Sequence, residues 1–306
     1  MIPFLARRLA SGAAVLLAIA ILVFVLARLA PGGPFDEERE LPKDVRAALE
    51  ARWHLRESLP RQLGFFFAGL ARGDLGPSMR QLDWSVSEIV ASAFPVSAAL
   101  AALALAWAVP LGLWLGSRAA GRPGGAADAA ATGAGLAGVA LPSFVTAPIL
   151  MMVFAFGLHL LPPGGWGELR QAVLPAVALG LPVCAVVARL ARAATRENLA
   201  KDYCRTARAK GLSERAVVVN HALRNGLLPV LNYLGPATAA ALTGSFAVEK
   251  VFAIPGLGSH FVNAALGRDL TLLVGVVLVY SALLIAVNIA VDVACAALDP
   301  RIREGV

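Results

Sequence analysis

The chain has 306 residues, of which 58% are hydrophobic and only 15% are charged, and it carries a formal net charge of +7. Soluble domains are nearer 45–50% apolar and about 25% charged, so the composition argues against an ordinary soluble domain and indicates a membrane protein. In such a protein, excess basic residues are expected to mark the cytoplasmic ends of membrane spans rather than a nucleic-acid surface.

Apolar windows long enough to cross about 30 Å of hydrocarbon predict six transmembrane helices in an all-α membrane protein. The first follows Arg7 and Arg8 as in a signal peptide, but its apolar stretch is too long, so we predict a retained anchor. The windows are Leu9–Ala27, Phe94–Ser117, Ala130–Leu158, Gln171–Ala188, Leu227–Val248 and Leu270–Val291.

An even number of spans places both termini on one side of the membrane. Arg7, Arg118, the run from Arg192 to Arg224, and Arg301 all fall on that side, which is therefore predicted to be cytoplasmic. We expect four regions: an N-terminal tail with the first span (1–30), an extracytoplasmic segment (31–93), a five-helix core (94–298) containing a cytoplasmic loop (192–226), and a cytoplasmic tail (299–306).

The extracytoplasmic segment carries its own folding signals. PKDVRAALEARWHL from Pro42 starts with proline and an acid and has Val45, Leu49 and Trp53 at four-residue spacing, which predicts a surface helix. GDLGPS from Gly73 predicts a turn, and DWSVSEIV a further short helix. One interpretation is a cap that shields the outer ends of the spans.

Residues between the fourth and fifth spans form a basic, helix-favouring insert. Leu199, Tyr203 and Ala207 recur at four-residue spacing, which predicts an amphipathic helix of about four turns from Arg196 to Lys210. We expect Lys210 at its C-terminus, Gly211 in a left-handed cap, and Ser213 capping a second helix. On that second helix Ala216, Val219 and Leu223 form the apolar stripe.

Three explanations of the insert compete: a solvated loop, binding to anionic lipid, and docking of a cytoplasmic protein. The apolar stripes and capping signals disfavour the first, and lipid binding would need only the charge. Docking uses both the stripe for burial and the charges for orientation, so it is favoured.

Polar residues within the spans are few. Asn232, Thr243 and Ser245 are candidate pathway residues, and Asp292 lies where solvent or a neighbouring arginine would satisfy it. An ion-coupled secondary carrier usually shows acidic or histidine residues near mid-membrane, so this alternative is disfavoured. After the fifth span, IPGLG must turn sharply, and Glu249, Pro255, Gly256 and Gly258 are candidates for a re-entrant outer gate.

The insert sequence RTARAKGLSERAVVVNHALRNGLLPVL resembles the cytoplasmic loop of binding-protein-dependent ABC importer permeases, in the dipeptide and oligopeptide branch. Arg205, Thr206 and Ala207 stand where the general loop has E-A-A, and Gly211 keeps its place. Further segments resemble the B-type oligopeptide permease subunits of that branch from end to end; they are RLAPGGPF, GDLGPSM, ALPSFVTAPIL, TGSFAVEKVFAIPGLG and DPRIR.

The resemblance implies that the insert is a coupling element seated in a groove of a partner ATPase. It implies a second homologous permease, two ABC ATPases and an extracytoplasmic substrate-binding protein as partners, in a bacterial cytoplasmic membrane. The external segment would then meet the binding protein. The implied coupling residues are Arg205, Thr206, Ala207, Lys210, Gly211, Leu212, Ser213 and His221.

The chain lacks a G-x-x-x-x-G-K-[ST] phosphate loop, so we expect no cofactor here and the use of ATP and Mg²⁺ by the partner ATPases. No catalytic or metal-binding residues are predicted, and Cys184, Cys204 and Cys295 are too far apart for a zinc or disulfide pattern. The expected function is ATP-driven import of oligopeptides by alternating access. Dipeptides, nickel chelates or another small solute remain alternatives.

Overall fold

The computed structural model describes residues 2–29, 53–121 and 141–298, together with positions 44, 48, 50, 51, 124, 125, 129 and 133. Helices dominate these residues, and the β-structure among them is an isolated bridge between Pro77 and Ser85. The helices are α1 (Ile2–Leu29), α2 (Leu59–Leu70), α3 (Val86–Gly121), α4 (Ser143–Leu150), α5 (Leu169–Leu199), α6 (Asp202–Ala209), α7 (Glu214–Ala216), α8 (Leu228–Val251), α9 (Leu257–Leu266) and α10 (Leu270–Leu298). Helix α4 continues as a π-helix over Met151–Gly157, and α7 as a π-helix over Val217–Leu223.

Within the described residues, four helices are long and apolar enough to cross a membrane. They correspond to the predicted first, second, fourth and sixth spans, and they are Phe4–Leu29, Val86–Gly121, Leu169–Leu199 and Leu270–Ala296. The all-helical membrane fold is therefore confirmed. The count of six spans and the orientation remain predictions.

The third and fifth predicted spans are not among these four helices, each for a different reason. Most of the first half of the third, Ala130–Leu158, lies outside the described residues, and its described part is the shorter apolar helix Ser143–Gly157. The fifth is present as α8, which contains the polar residues Asn232, Thr243 and Glu249 and is not among the four helices that are long and apolar enough to cross a membrane.

The second span begins earlier than predicted. DWSVSEIV does not form a separate short helix, because Ser85 and Glu88 cap the start of one continuous helix, α3. The backbone N–H of Ser85 donates to Glu88 Oε2 (2.9 Å), and that of Glu88 donates to Ser85 Oγ (3.2 Å), the reciprocal pattern of a capping box. From this start the helix continues without a break through Pro95 and Pro110.

Helices α3 and α5 pack along each other at a distance that only small residues permit. A Cβ atom at Gly112 would lie 2.8 Å from the carbonyl oxygen of Cys184, and one at Gly116 would lie 2.4 Å from that of Ala188. Close backbone approach of this kind is typical of membrane helices, where packing replaces the hydrophobic effect between helices. This pair forms the centre of the bundle, with α8 and α4 packed against α5.

We call the end of the bundle that holds Arg8, Arg118 and the 200–226 segment the basic end. There Arg8 pairs with Asp292 at 3.1 Å, joining α1 to α10 and confirming that a neighbouring arginine satisfies this aspartate. Both side chains are partly exposed, so this pair contributes modestly to stability.

At the opposite end, the segment from Trp53 to Ser85 is fixed to the start of α10 through a buried aspartate. Asp269 is 1% exposed, accepts hydrogen bonds from Ser78 Oγ and from the backbone N–H of Arg80 (3.2 Å), and caps α10 through the N–H of Leu272 (3.0 Å). The predicted GDLGPS turn is confirmed, with Gly73 and Gly76 at positive φ. The helix predicted from Pro42 lies mostly outside the described residues.

Candidate functional site

The segment from Ala200 to Gly226, which we call the connector, joins α5 to α8 at the basic end. Lys201 takes an extended backbone (φ −76°, ψ 153°) and separates α5 from α6, so the predicted continuous helix from Arg196 to Lys210 is wrong. A residue in that conformation cannot continue a helix, and Asp202 then starts α6 with an acid in its first turn. The remaining division into two short helices is confirmed.

The turn between α6 and α7 has the predicted local geometry. Lys210 follows the last residue of α6, and Gly211 has φ +82°, in the left-handed region that glycine adopts without strain. The Oγ of Ser213 accepts a hydrogen bond from the N–H of Ala216 (3.4 Å) and caps α7. A Cβ at Gly211 would meet no atom within 4 Å, so the turn requires glycine for its backbone and not for space.

A bidentate ion pair closes the same turn. Arg208 Nε donates to Glu214 Oε2 (2.9 Å), and Arg208 Nη2 donates to Glu214 Oε1 (2.7 Å). These hydrogen bonds lower the pKa of the Glu214 carboxyl and raise the pKa of the Arg208 guanidinium. Two parallel bonds fix the angle between α6 and the start of α7, a geometry that lysine could not supply.

A small apolar core lies beneath the turn and corrects both predicted stripes. Cys204, Ala207, Val217 and Ala222 are buried together, with Leu199 packed against them, whereas Tyr203 and Val219 are exposed. The second stripe was placed wrongly because the chain from Val217 to Leu223 is π-helical, so Val217 and Ala222, five residues apart, share a face.

The connector is tied directly to the end of α5. Asn198 is buried, and its Nδ2 donates to the carbonyl oxygen of Ala222 (3.3 Å). Gly226 lies so close that a Cβ there would be 3.1 Å from Ala194 and from Asn198. A displacement of the connector would therefore be transmitted to α5 and, through Leu227, to α8. Sequence reasoning missed Asn198, because the partner of a buried polar residue is set by tertiary packing.

Most of the predicted coupling residues lie on the outside of the connector. Ala207 is the exception, since it is buried in the small core, and His221 is half-buried. Arg205 pairs with Asp202 on its own helix (3.3 Å). The exposed members are Arg205, Thr206, Lys210, Gly211, Leu212 and Ser213. They present cationic and hydroxyl groups around Leu212, an apolar side chain that is 43% exposed.

The predicted gate residues surround a buried carboxyl at the other end of α8. Glu249 is 0% exposed and accepts hydrogen bonds from Ser97 Oγ (2.7 Å), the N–H of Gly258 (2.8 Å) and the N–H of Ser259 (3.2 Å). Ser97 in turn accepts from the N–H of Leu257 (2.9 Å). We call this set the Glu249 clasp. It joins α3, the end of α8 and the start of α9.

Both predicted gate glycines are required by the close packing around Glu249. A Cβ at Gly256 would lie 2.5 Å from Glu249 Oε2, and one at Gly258 would lie 2.5 Å from the backbone of Phe246. Pro255 is exposed beside them. Ser97 and Ser259 complete the clasp and were missed, because Ser97 is 152 residues from Glu249 in the chain and no local pattern connects them.

The three predicted pathway residues do not converge. Asn232 lies near the basic end of α8, where its Oδ1 accepts a hydrogen bond from Cys295 Sγ (3.1 Å). Thr243 is exposed and donates to the carbonyl of Ala239 in its own helix (2.9 Å), whereas Ser245 is buried and donates to that of Leu242 (2.6 Å). Asn232 and Thr243 are both exposed and face surfaces open to a ligand or a neighbouring subunit, whereas Ser245 does not.

Comparison with known proteins agrees with this architecture. Residues 108–304 match the family model of the binding-protein-dependent transport system inner membrane component. The oligopeptide transport system permease protein OppB of Escherichia coli K12 is 44% identical over 305 residues, covering 99% of this chain and 100% of the relative. OppB of Haemophilus influenzae is 42% identical over the same coverage. The dipeptide transport system permease protein DppB of Bacillus subtilis is 42% identical, covering 99% of this chain and 98% of the relative.

The family match spans α5, the connector, α8 and every member of the Glu249 clasp except Ser97, and the relatives extend over the N-terminal helices as well. The ion-coupled carrier considered from the sequence is therefore set aside. The chain belongs to the family of binding-protein-dependent transport system inner membrane components.

Proposed function

We propose that this protein is the permease subunit of an ATP-driven ABC importer that carries oligopeptides across the bacterial inner membrane. It is a transport subunit and not an enzyme, in keeping with its family. The observation that carries the proposal is the full-length similarity to oligopeptide permeases, combined with a connector built as a rigid, exposed unit at the end of two membrane helices.

The proposed complex contains a second homologous permease, two ABC ATPases that bind ATP and Mg²⁺, and an extracytoplasmic binding protein. The connector seats in a groove of one ATPase, with Leu212 buried by the partner and the surrounding cations orienting it. Closure of the ATPases moves the connector, and the contacts of Asn198 and Gly226 carry that movement into α5 and α8.

In this proposal six helices cross the membrane and both termini are cytoplasmic. Residues 1–30 form the anchor, 31–93 an extracytoplasmic segment that meets the binding protein, 94–298 the five-helix core, and 299–306 a cytoplasmic tail. The peptide passes at the interface between the two permeases, along a surface that includes the exposed Asn232 and Thr243, with Ser245 buried in the same helix. The Glu249 clasp with Pro255 forms the outer gate.

Substitutions at Gly211 test the coupling role. Gly211→Val places a β-branched residue at positive φ, a conformation that costs about 1–3 kcal/mol, whereas Gly211→Asn is a matched control that tolerates it. We expect Gly211→Val to insert normally but to lose peptide uptake and co-purification of the ATPases, and Gly211→Asn to retain both. Normal uptake by Gly211→Val would refute the coupling role.

The identity of the partners is tested by purifying the chain from its own membrane in mild detergent. We expect a second permease and ATPases with phosphate-binding loops. Recovery of the chain alone, with uptake driven by an ion gradient in the absence of ATP, would overturn the proposed function.

A dipeptide importer is the second candidate, because a dipeptide permease is nearly as similar as the oligopeptide permeases. Uptake of labelled dipeptides and hexapeptides by cells carrying the complete complex separates the two. Competition by hexapeptides supports the oligopeptide assignment, and uptake restricted to dipeptides contradicts it.

A further inference from the structure

A cavity of about 340 Å³ lies at the end of the bundle opposite the basic end, where the last turn of α1, helix α2 and the first turns of α10 meet. Its walls are mainly apolar and aromatic, and charged side chains lie among them. The residues that line it include Phe24, Arg28, Phe65, Ala68, Arg72 and Asp74.

Arg28 is the unusual member of this set. Its guanidinium is half-buried and lies 5.4 Å from the centre of the Phe24 ring, and among the described residues it pairs with no carboxylate. By contrast, Arg8 at the other end of the same helix pairs with a carboxylate, that of Asp292. A partly buried cation that lies over an aromatic ring and has no carboxylate partner within the described part of the chain is suited to an anionic ligand.

The position of Arg28 indicates which anion is available. It is the last basic residue of a helix long and apolar enough to span the membrane, so it lies at one membrane–water interface whichever way the chain is oriented. Phospholipid phosphates lie at that depth. On the outside of the same helix Leu22, Leu26 and Leu29 form an apolar face that is at least 57% exposed, along which acyl chains can pack.

The remaining charges favour one class of headgroup. Arg72 adds a second cation near the phosphate, whereas Asp74 would repel a free anion but can accept a hydrogen bond from an ammonium group. Asp74 Oδ1 already accepts from the N–H of Gly76 (2.8 Å), which fixes the orientation of the carboxylate. Phe65 stays 51% exposed at the cavity wall and offers an aromatic edge to the glycerol region.

We propose that this cavity binds one zwitterionic phospholipid with a primary ammonium headgroup, with Arg28 at the phosphodiester and Asp74 at the ammonium. The inference rests on the membrane placement of α1 but not on the solute or on ATP. The bound lipid seals the junction between α1 and the segment that contains α2. Without it, an open cavity would remain there at the membrane–water interface.

The test counts phospholipids retained by the protein, purified with its accompanying subunits, using native mass spectrometry. Delipidated samples are titrated with phosphatidylethanolamine or, separately, phosphatidylglycerol. Arg28→Gln is expected to weaken phosphatidylethanolamine binding about tenfold, and Arg61→Gln, which changes an exposed arginine of α2 outside the cavity, leaves it unchanged.

A second variant tests the same site without changing Arg28, so that the result does not depend on the folding of Arg28→Gln. Ala68→Trp fills the cavity from its exposed wall while Arg28 is retained, and it should also lose the lipid while keeping a monodisperse gel-filtration profile. Equal retention by wild type, Arg28→Gln and Ala68→Trp would overturn the site. Equal affinity for phosphatidylglycerol, or displacement by inorganic phosphate, would overturn the assignment to an ammonium phospholipid.

These readouts do not depend on transport. Absence of bound phospholipid from a wild-type importer that still takes up peptides overturns only this inference. Retained lipid in a chain that lacks ATPase partners overturns only the proposed function.

Discussion

Glu249 accepts three hydrogen bonds at a position with no exposed surface, and its donors come from two elements besides its own helix. A buried donor left without a partner costs about 1–3 kcal/mol. The carboxyl therefore stabilises the turn that follows α8 by giving these buried donors an acceptor.

We predict that Glu249→Ala lowers the stability of the protein by at least about 2 kcal/mol, because it leaves the O–H donor of Ser97 and two backbone N–H groups without an acceptor. Glu249→Gln keeps an acceptor oxygen and should have a smaller effect. Thermal unfolding in detergent measures both. The control is Lys250→Ala, which removes one exposed hydrogen bond to Asn263 (3.0 Å). A Glu249→Ala protein as stable as this control would contradict the structural role of the clasp.

At the scale of elements, the α3–α5 contact depends on the absence of side chains. Gly112 and Gly116 bring α3 against backbone atoms of α5, and Gly180 of α5 lies against the ring of Trp107 in return. Overpacking a close contact costs about 1–3 kcal/mol, because neighbouring backbone must move.

We predict that Gly116→Leu destabilises the bundle by at least this amount, since its Cβ would lie 2.4 Å from the carbonyl oxygen of Ala188. Ala102→Leu, at an exposed position of the same helix, is the matched control. The yield of monodisperse protein and its unfolding temperature in detergent measure the difference. Similar values for both variants would show that α3 and α5 do not pack this closely.

The connector adds a pH dependence at the same scale. Arg208 lowers the pKa of Glu214 below its ordinary value of 4.5, so the ion pair contributes fully above that pH and is lost as the pH falls through the lowered pKa. Both side chains are exposed, and such pairs contribute about 0.2–1 kcal/mol.

We predict that amide exchange at Gly211 and Leu212, corrected for the intrinsic rate, becomes a few-fold faster between pH 6 and pH 3 in the wild-type protein. In Glu214→Gln the corrected rate should already be higher at pH 6 and should not change with pH. A wild-type rate independent of pH would mean that the ion pair does not hold the turn.

At the scale of the whole molecule, the number of crossings decides on which side the connector lies. With six spans, Leu82 is extracytoplasmic and Leu212 cytoplasmic. If only the four longest apolar helices crossed, the connector would be on the same side as Leu82. Both leucines are exposed, at 48% and 43% respectively, so each is a suitable labelling position.

We predict that a membrane-impermeant maleimide labels Leu82→Cys in intact spheroplasts and labels Leu212→Cys only after lysis. Leu160→Cys, 55% exposed between α4 and α5, should label without lysis. The native Cys184, Cys204 and Cys295 are buried, which keeps the background low. Labelling of Leu212→Cys in intact spheroplasts would contradict the six-span topology.

Local patterns in the sequence were sufficient for several features of this protein. Apolar length predicted the four long helices, because a span must pair its own backbone in hydrocarbon. Capping chemistry predicted the turn at Lys210, Gly211 and Ser213, since each of these residues acts through its own backbone or the next turn. The ordered series of segments resembling peptide permeases predicted the family, which the comparisons confirm.

Tertiary structure decided the rest, because it depends on atoms distant in the chain. The partner of Glu249 is a serine 152 residues away, and Asp269 is satisfied by Ser78 and Arg80, which precede it by 191 and 189 residues. The face of the connector that is buried follows from a π-helical register that the 3.6-residue period does not describe. Composition thus determined that this chain is helical and membrane-embedded, and packing determined which of its few polar groups are joined.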